Sequence, residues 1–96
     1  MYGTVARLRV KPGAEAQVTQ QMRDFAALRI PGCIQTYLYQ MDADPRECYL
    51  VVLFESKEAY WANARSPEQD ARYQDMLAVL EGPPEWHDGA VMSGGS

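Results

Sequence analysis

The chain opens on an alternation of period two. From Tyr2 to Val10 the even positions Tyr2, Thr4, Ala6, Leu8 and Val10 are mostly apolar, while the odd ones include Arg7 and Arg9. This predicts a strand that stops at Lys11-Pro12-Gly13. From Ala14 the period lengthens. Val18, Met22, Phe25 and Ala26, with Arg29 one turn further on, form a helical stripe, which predicts a helix over 14–29. Glu15 in its first turn suits the helix dipole, and Pro31-Gly32 stops it.

Two runs rich in β-branched and aromatic residues follow, CIQTYLYQM (33–41) and ECYLVVLFE (47–55), joined by DADPR as a hairpin loop. The second run is apolar on both faces: Cys48, Leu50, Val52 and Phe54 on one, Tyr49, Val51 and Leu53 on the other. A strand with one face in water alternates with polar residues, and this one does not. One layer of helices covers one face of a sheet in so short a chain, so the pattern predicts a second copy of the sheet over the other face.

Ser56 caps a short helix with Tyr60, Trp61 and Ala64 on one side. Ser66-Pro67-Glu68-Gln69 then restarts the helix: a serine cap, a proline at the first helical position and a glutamine three residues after the cap. Tyr73, Met76, Leu77 and Leu80 give its stripe, Gly82-Pro83-Pro84 ends it, and a last strand is predicted over 85–92. The order β, α, β, β, two-part α, β is that of an α+β, ferredoxin-like split βαβ (βαββαβ) fold with an antiparallel sheet. One domain over 1–92 and a flexible tail over 93–96 follow.

Composition narrows the function classes. With 47% hydrophobic and 23% charged residues the chain reads as an ordinary globular domain. A formal charge of −4, with nine scattered basic residues, argues against a nucleic-acid surface or an anionic membrane. The start MYGTVARLRV lacks the pattern of a signal peptide, and no apolar run is long enough to span a bilayer. The expected location is the cytoplasm. Cys33 and Cys48 lack zinc or redox spacing and read as buried thiols. With Met41 opposite Glu47, Cys48 faces Gln40 and lies over ~20 Å from Cys33, which excludes an intrachain disulfide.

Candidate chemistry centres on Trp61, Asn63 and Tyr73. They are either a pocket in which aromatic walls stack a flat ligand, or the core-facing residues of short helices. His87, the only histidine, has no partners with metal-ligand spacing and reads as a solvated or interface residue, with Asp88 on the opposite strand face. Arg7 and Arg9 share a face. They either bind an acidic substrate or pair with carboxylates at an interface or rim.

ARLRVKPG (6–13), the aromatic hairpin, FESKEAYWAN (54–63) and SPEQDARY (66–73) together resemble the antibiotic biosynthesis monooxygenase family over about residues 2–92. The resemblance implies a homodimeric α+β barrel, two sheets face to face. It also implies oxygenation of a small aromatic, quinol-like compound by molecular oxygen with no cofactor or metal, the substrate supplying the electrons. Trp61 matches a pocket tryptophan of the family, with Asn63 and Tyr73 as the other catalytic candidates. Met22, Phe25, Tyr37, Trp61, Met76 and Leu77 are the expected substrate-binding set. A non-catalytic or stress-responsive ligand-binding barrel is the alternative. A haem-degrading branch uses a first-strand asparagine, the tryptophan and a histidine, where this chain has Ala6, Trp61 and Tyr73.

Overall fold

The computed structural model describes residues 1–95 and places seven elements in the expected order. They are β1 (Tyr2–Arg9), α1 (Glu15–Ala27), β2 (Cys33–Gln40), β3 (Glu47–Phe54), α2 (Lys57–Ala64), α3 (Pro67–Leu77) and β4 (Glu85–Ala90). The strands form one sheet in the order β2-β3-β1-β4, every neighbouring pair antiparallel. The fold is α+β and ferredoxin-like. In the β2–β3 hairpin Gln40 pairs with Cys48 and Met41 N–H donates to the Glu47 carbonyl, the register read from the sequence. Cys33 lies at the other end of the ladder, opposite Phe54, and both thiols are free.

The even positions of β1 and β3 build the core. Leu8, Val10, Val18 and Phe54 are almost wholly buried, joined by Ala6, Leu50 and Met76. Burying each large side chain contributes about 1.5–3 kcal/mol. Ser66 holds the start of α3: its hydroxyl accepts the Gln69 N–H at 3.1 Å, with Pro67 behind it. Removing that cap in Ser66→Ala is expected to cost about 1 kcal/mol and to lower Tm by roughly 4–8 °C, read in a thermal melt. An unchanged Tm would show the cap to be redundant with the proline.

Three boundaries differ from the sequence reading. Helix α1 stops at Ala27 rather than near Arg29, because Arg29 takes a left-handed backbone (φ 51°) that turns the chain toward Pro31. Helix α3 stops at Leu77, so Leu80 is not helical. It bridges Val10, with Lys11 N–H bonding the Val79 carbonyl and Glu81 N–H the Arg9 carbonyl. The last strand ends at Ala90, two residues early.

The sheet's second face carries Val5, Val51, Leu53, Tyr37, Tyr39 and Tyr49, with Val5 44%, Tyr37 48% and Tyr39 53% exposed. At its rim the arginines find partners within their own chain. Arg7 bonds Glu47, and Arg9 bonds Asp44 at 2.6 Å and approaches Glu81 at 3.6 Å. Arg9 holds the Asp44 carboxyl below the usual carboxylate range. The stability this pair lends is therefore present above the ordinary carboxylate pKa and lost as pH falls through the lowered one. His87 lies exposed on this face, its Nε2 3.3 Å from Glu85. No described helix is long and apolar enough to cross a membrane. Among the described residues no group of three or more His, Cys, Asp or Glu is placed to hold a metal ion.

Candidate functional site

A cavity of about 380 Å³ opens between the helices and the covered face of the sheet, within the usual size of a small-molecule site. Its floor is Leu50, Val52 and Phe54 of β3, and α1 adds Met22 and Phe25. The other helices supply Trp61 and Asn63 from α2 and Tyr73 and Met76 from α3. Six of the expected residues therefore meet around one space: Met22, Phe25, Trp61, Asn63, Tyr73 and Met76.

Two expected residues do not. Tyr37 points away from the cavity, on the other face of the sheet opposite Val51, where its hydroxyl accepts the Gln35 side-chain amide at 2.7 Å. Its ring would suit a substrate wall, but strand alternation turns Thr36 and Leu38 inward and Tyr37 outward. Leu77 closes α3 half-buried, outside the cavity lining.

The aromatic wall is built edge to face. Tyr60 meets Trp61 at 5.1 Å, Phe54 at 5.6 Å and Tyr2 at 5.3 Å between ring centroids. The Arg65 guanidinium sits 5.6 Å over the Trp61 ring. Tyr73 faces Trp86 of β4 at 6.1 Å. Asn63 is fixed by a triangle of polar side chains. Its Nδ2 donates to Gln69 Oε1 at 3.3 Å, its Oδ1 accepts from Arg72 Nη2 at 3.3 Å, and Arg72 Nε donates to the same Gln69 oxygen at 3.0 Å. Gln69 is thus drawn away from the reciprocal capping bond that its spacing predicts. Its triangle leaves one amide hydrogen of Asn63 to orient a ligand.

The far edge of the cavity holds groups that the sequence reading passed over. Thr4, Tyr60, Trp86 and Asp88 all line it. Tyr60 Oη donates to Asp88 Oδ1 at 2.8 Å. Burial, then the Asp88 carboxylate, push the Tyr60 phenol well above its ordinary pKa, so it stays protonated. The Thr4 hydroxyl lies close enough to the Tyr60 phenol to oppose that shift by hydrogen bonding, but the alignment is poor and its buried Oγ1 makes no hydrogen bond of good geometry. A signal for β4 was present: in EWHDGA, Trp86 and Asp88 share a face and point opposite to His87.

Against known proteins, the family model described as antibiotic biosynthesis monooxygenase matches residues 1–75. No curated protein matches the sequence. Solved structures match over nearly the whole chain. A candidate antibiotic biosynthesis monooxygenase from Chloroflexus aurantiacus J-10-fl superposes with a TM-score of 0.81 at 20% identity, covering 99% of this chain and 96% of its own. One from Bordetella bronchiseptica gives 0.80 at 22%, covering 96% and 97%. A mutant of SnoaB, a cofactor-independent oxygenase from Streptomyces nogalater, gives 0.84 at 17%, covering 97% and 94%. At these identities the likeness is one of fold.

Proposed function

We propose, from the premise that the chain belongs to the antibiotic biosynthesis monooxygenase family, that its cavity oxygenates a small aromatic, quinol- or anthrone-like compound with molecular oxygen and no cofactor. The observation that carries this reading is the cavity itself: about 380 Å³, walled by Phe25, Trp61, Tyr73 and Trp86, with few polar groups. Such a space holds a two- or three-ring molecule flat, and the bound ring itself displaces water from the apolar walls. Trp61 is the stacking wall, and Asn63 and Tyr73 orient the ring oxygens.

For an anthrone the step balances without a helper. The ring methylene loses two hydrogens and gains one oxygen atom, the second oxygen atom leaves as water, and all the electrons come from the substrate. The protein's share is orientation and hydrogen bonds where charge develops on oxygen. An oxygen electrode tests the reading. Uptake above the protein-free rate with anthrone or a naphthalene quinol is the expected result. A ligand-induced rise in Tm with no uptake would instead assign a binding protein.

The same reading includes a homodimer. Val5, Tyr37 and Tyr39 of the open sheet face remain exposed beside half-buried Val51 and Leu53, an apolar area that a second copy would cover. Sedimentation at micromolar concentration is expected to give twice the 10.8 kDa chain mass, and Val51→Asp to shift it to the monomer. A wild-type monomer would contradict the barrel.

A further inference from the structure

The polar edge of the cavity has a chemistry more specific than its apolar walls. Thr4 and Asp88 are direct partners across β1 and β4, both on the covered face, so their side chains start about 5 Å apart. Both line the cavity. Thr4 is 4% exposed and its Oγ1 has no partner. A buried hydroxyl left unpaired costs free energy in the folded chain; Thr4 lines the cavity with Oγ1 itself screened behind the wall, and a turn about its χ1 presents the hydroxyl to a ligand there. Asp88 has one oxygen committed to Tyr60, leaving Oδ2 for a second donor. One neighbouring group can donate and the other can only accept. A hydroxyl, which does both through one oxygen atom, satisfies the pair; an ether or a hydrogen substituent does not.

We infer that Thr4 and Asp88 form an anchor for a phenolic or enolic hydroxyl of the aromatic ligand, with Asp88 the proton acceptor in its oxidation. This rests on the oxygenase reading above for the chemistry, though not for the binding. The ligand O–H donates to Asp88 Oδ2 while its oxygen accepts from Thr4 Oγ1. In the proton transfer the ligand O–H bond breaks and an O–H bond forms on Asp88. The electron pair stays on the ligand oxygen, where Thr4 continues to donate to it, and molecular oxygen then draws electrons from the anion. Tyr60 is the positioning residue: it stays protonated, fixes the Asp88 carboxylate and is not itself the base. Asp70 also lines this cavity, but Asp88 alone is the register partner of Thr4.

Two probes and two variants test this. Binding of 1,4-dihydroxynaphthalene and of 1,4-dimethoxynaphthalene is followed without oxygen by quenching of tryptophan fluorescence. The wild type is expected to prefer the quinol by about tenfold or more. Thr4→Val is expected to melt at the wild-type temperature or above it, since it removes an unpaired hydroxyl, while binding the quinol about tenfold more weakly. Asp88→Asn is expected to lower anthrone turnover by about 100-fold, the usual scale for a general base, with its melt near that of the wild type. Thr4→Val holding both probes as the wild type does would overturn the anchor. Full turnover in Asp88→Asn would overturn the proton acceptor. A wild type that consumes no oxygen overturns the oxygenase reading instead, and the quinol–ether difference then decides the anchor alone.

Discussion

Replacing Trp61 with alanine is expected to cut kcat/KM for anthrone about 100-fold while the protein stays folded. The indole is half-buried and stands outside the fully buried core, held by the edge of Tyr60 at 5.1 Å and capped by Arg65 at 5.6 Å. Its loss therefore removes little of what holds the sheet to the helices. For a flat ligand it removes one whole wall. Stacking against that wall stabilises the bound ring by on the order of 2–3 kcal/mol, and each 1.4 kcal/mol is a factor of about ten in rate. Oxygen uptake reads the first effect and circular dichroism the second. Turnover at the wild-type rate would return Trp61 to the role of helix packing, the other reading its sequence position allows.

The largest stability effect is expected at Gly3. A β-carbon there would lie 1.9 Å from the carbonyl oxygen of Val52 and 2.9 Å from its carbon. Those atoms belong to the backbone of β3, directly beside β1 in the sheet, so relief requires the strands to part. Gly3→Ala is expected to cost about 3 kcal/mol or more and to lower Tm by roughly 12 °C or more. Gly89, the register partner of Gly3 on β4, has no heavy atom near its β-carbon position. Gly89→Ala is the control and is expected to melt within a few degrees of the wild type. Equal melts for the two variants would contradict the close approach of β1 and β3.

Periodicity and punctuation made most of the fold legible. The period-two runs set β1, β2 and β3, and DADPR set the hairpin closely enough to place Gln40 opposite Cys48. The serine caps of α2 and α3 accept the N–H groups their spacing predicts. What stayed hidden depends on long-range register. Leu80 fits a helical stripe, yet its backbone is captured by Val10. Arg7 and Arg9 had to wait for the sheet to show that Glu47 and Asp44 are within reach. A register shift between Cys33 and Gln35 offsets β2 against β3.

The candidate site was legible on its helices and not on its strands. Trp61, Asn63 and Tyr73 are close in sequence, and all three reach the cavity. Tyr37 has a suitable ring, although alternation puts it outside. Thr4, Trp86 and Asp88 meet only because β1 and β4, 84 residues apart at the Thr4–Asp88 pair, are neighbours in the sheet. The single histidine lies solvated on the open face of β4, as its lack of partners in the sequence implies. His87 pairs with Glu85 in the open, while Asp88 faces the cavity.

The central claim, oxygenation in this cavity without a cofactor, is tested most directly by isotope incorporation. Dialysed, chelator-treated protein is incubated with anthrone under 18O2 and the product is weighed by mass spectrometry. One labelled oxygen atom per anthraquinone, formed at a rate proportional to protein concentration, is the predicted result. Unlabelled product, or formation no faster than in buffer, would contradict the account.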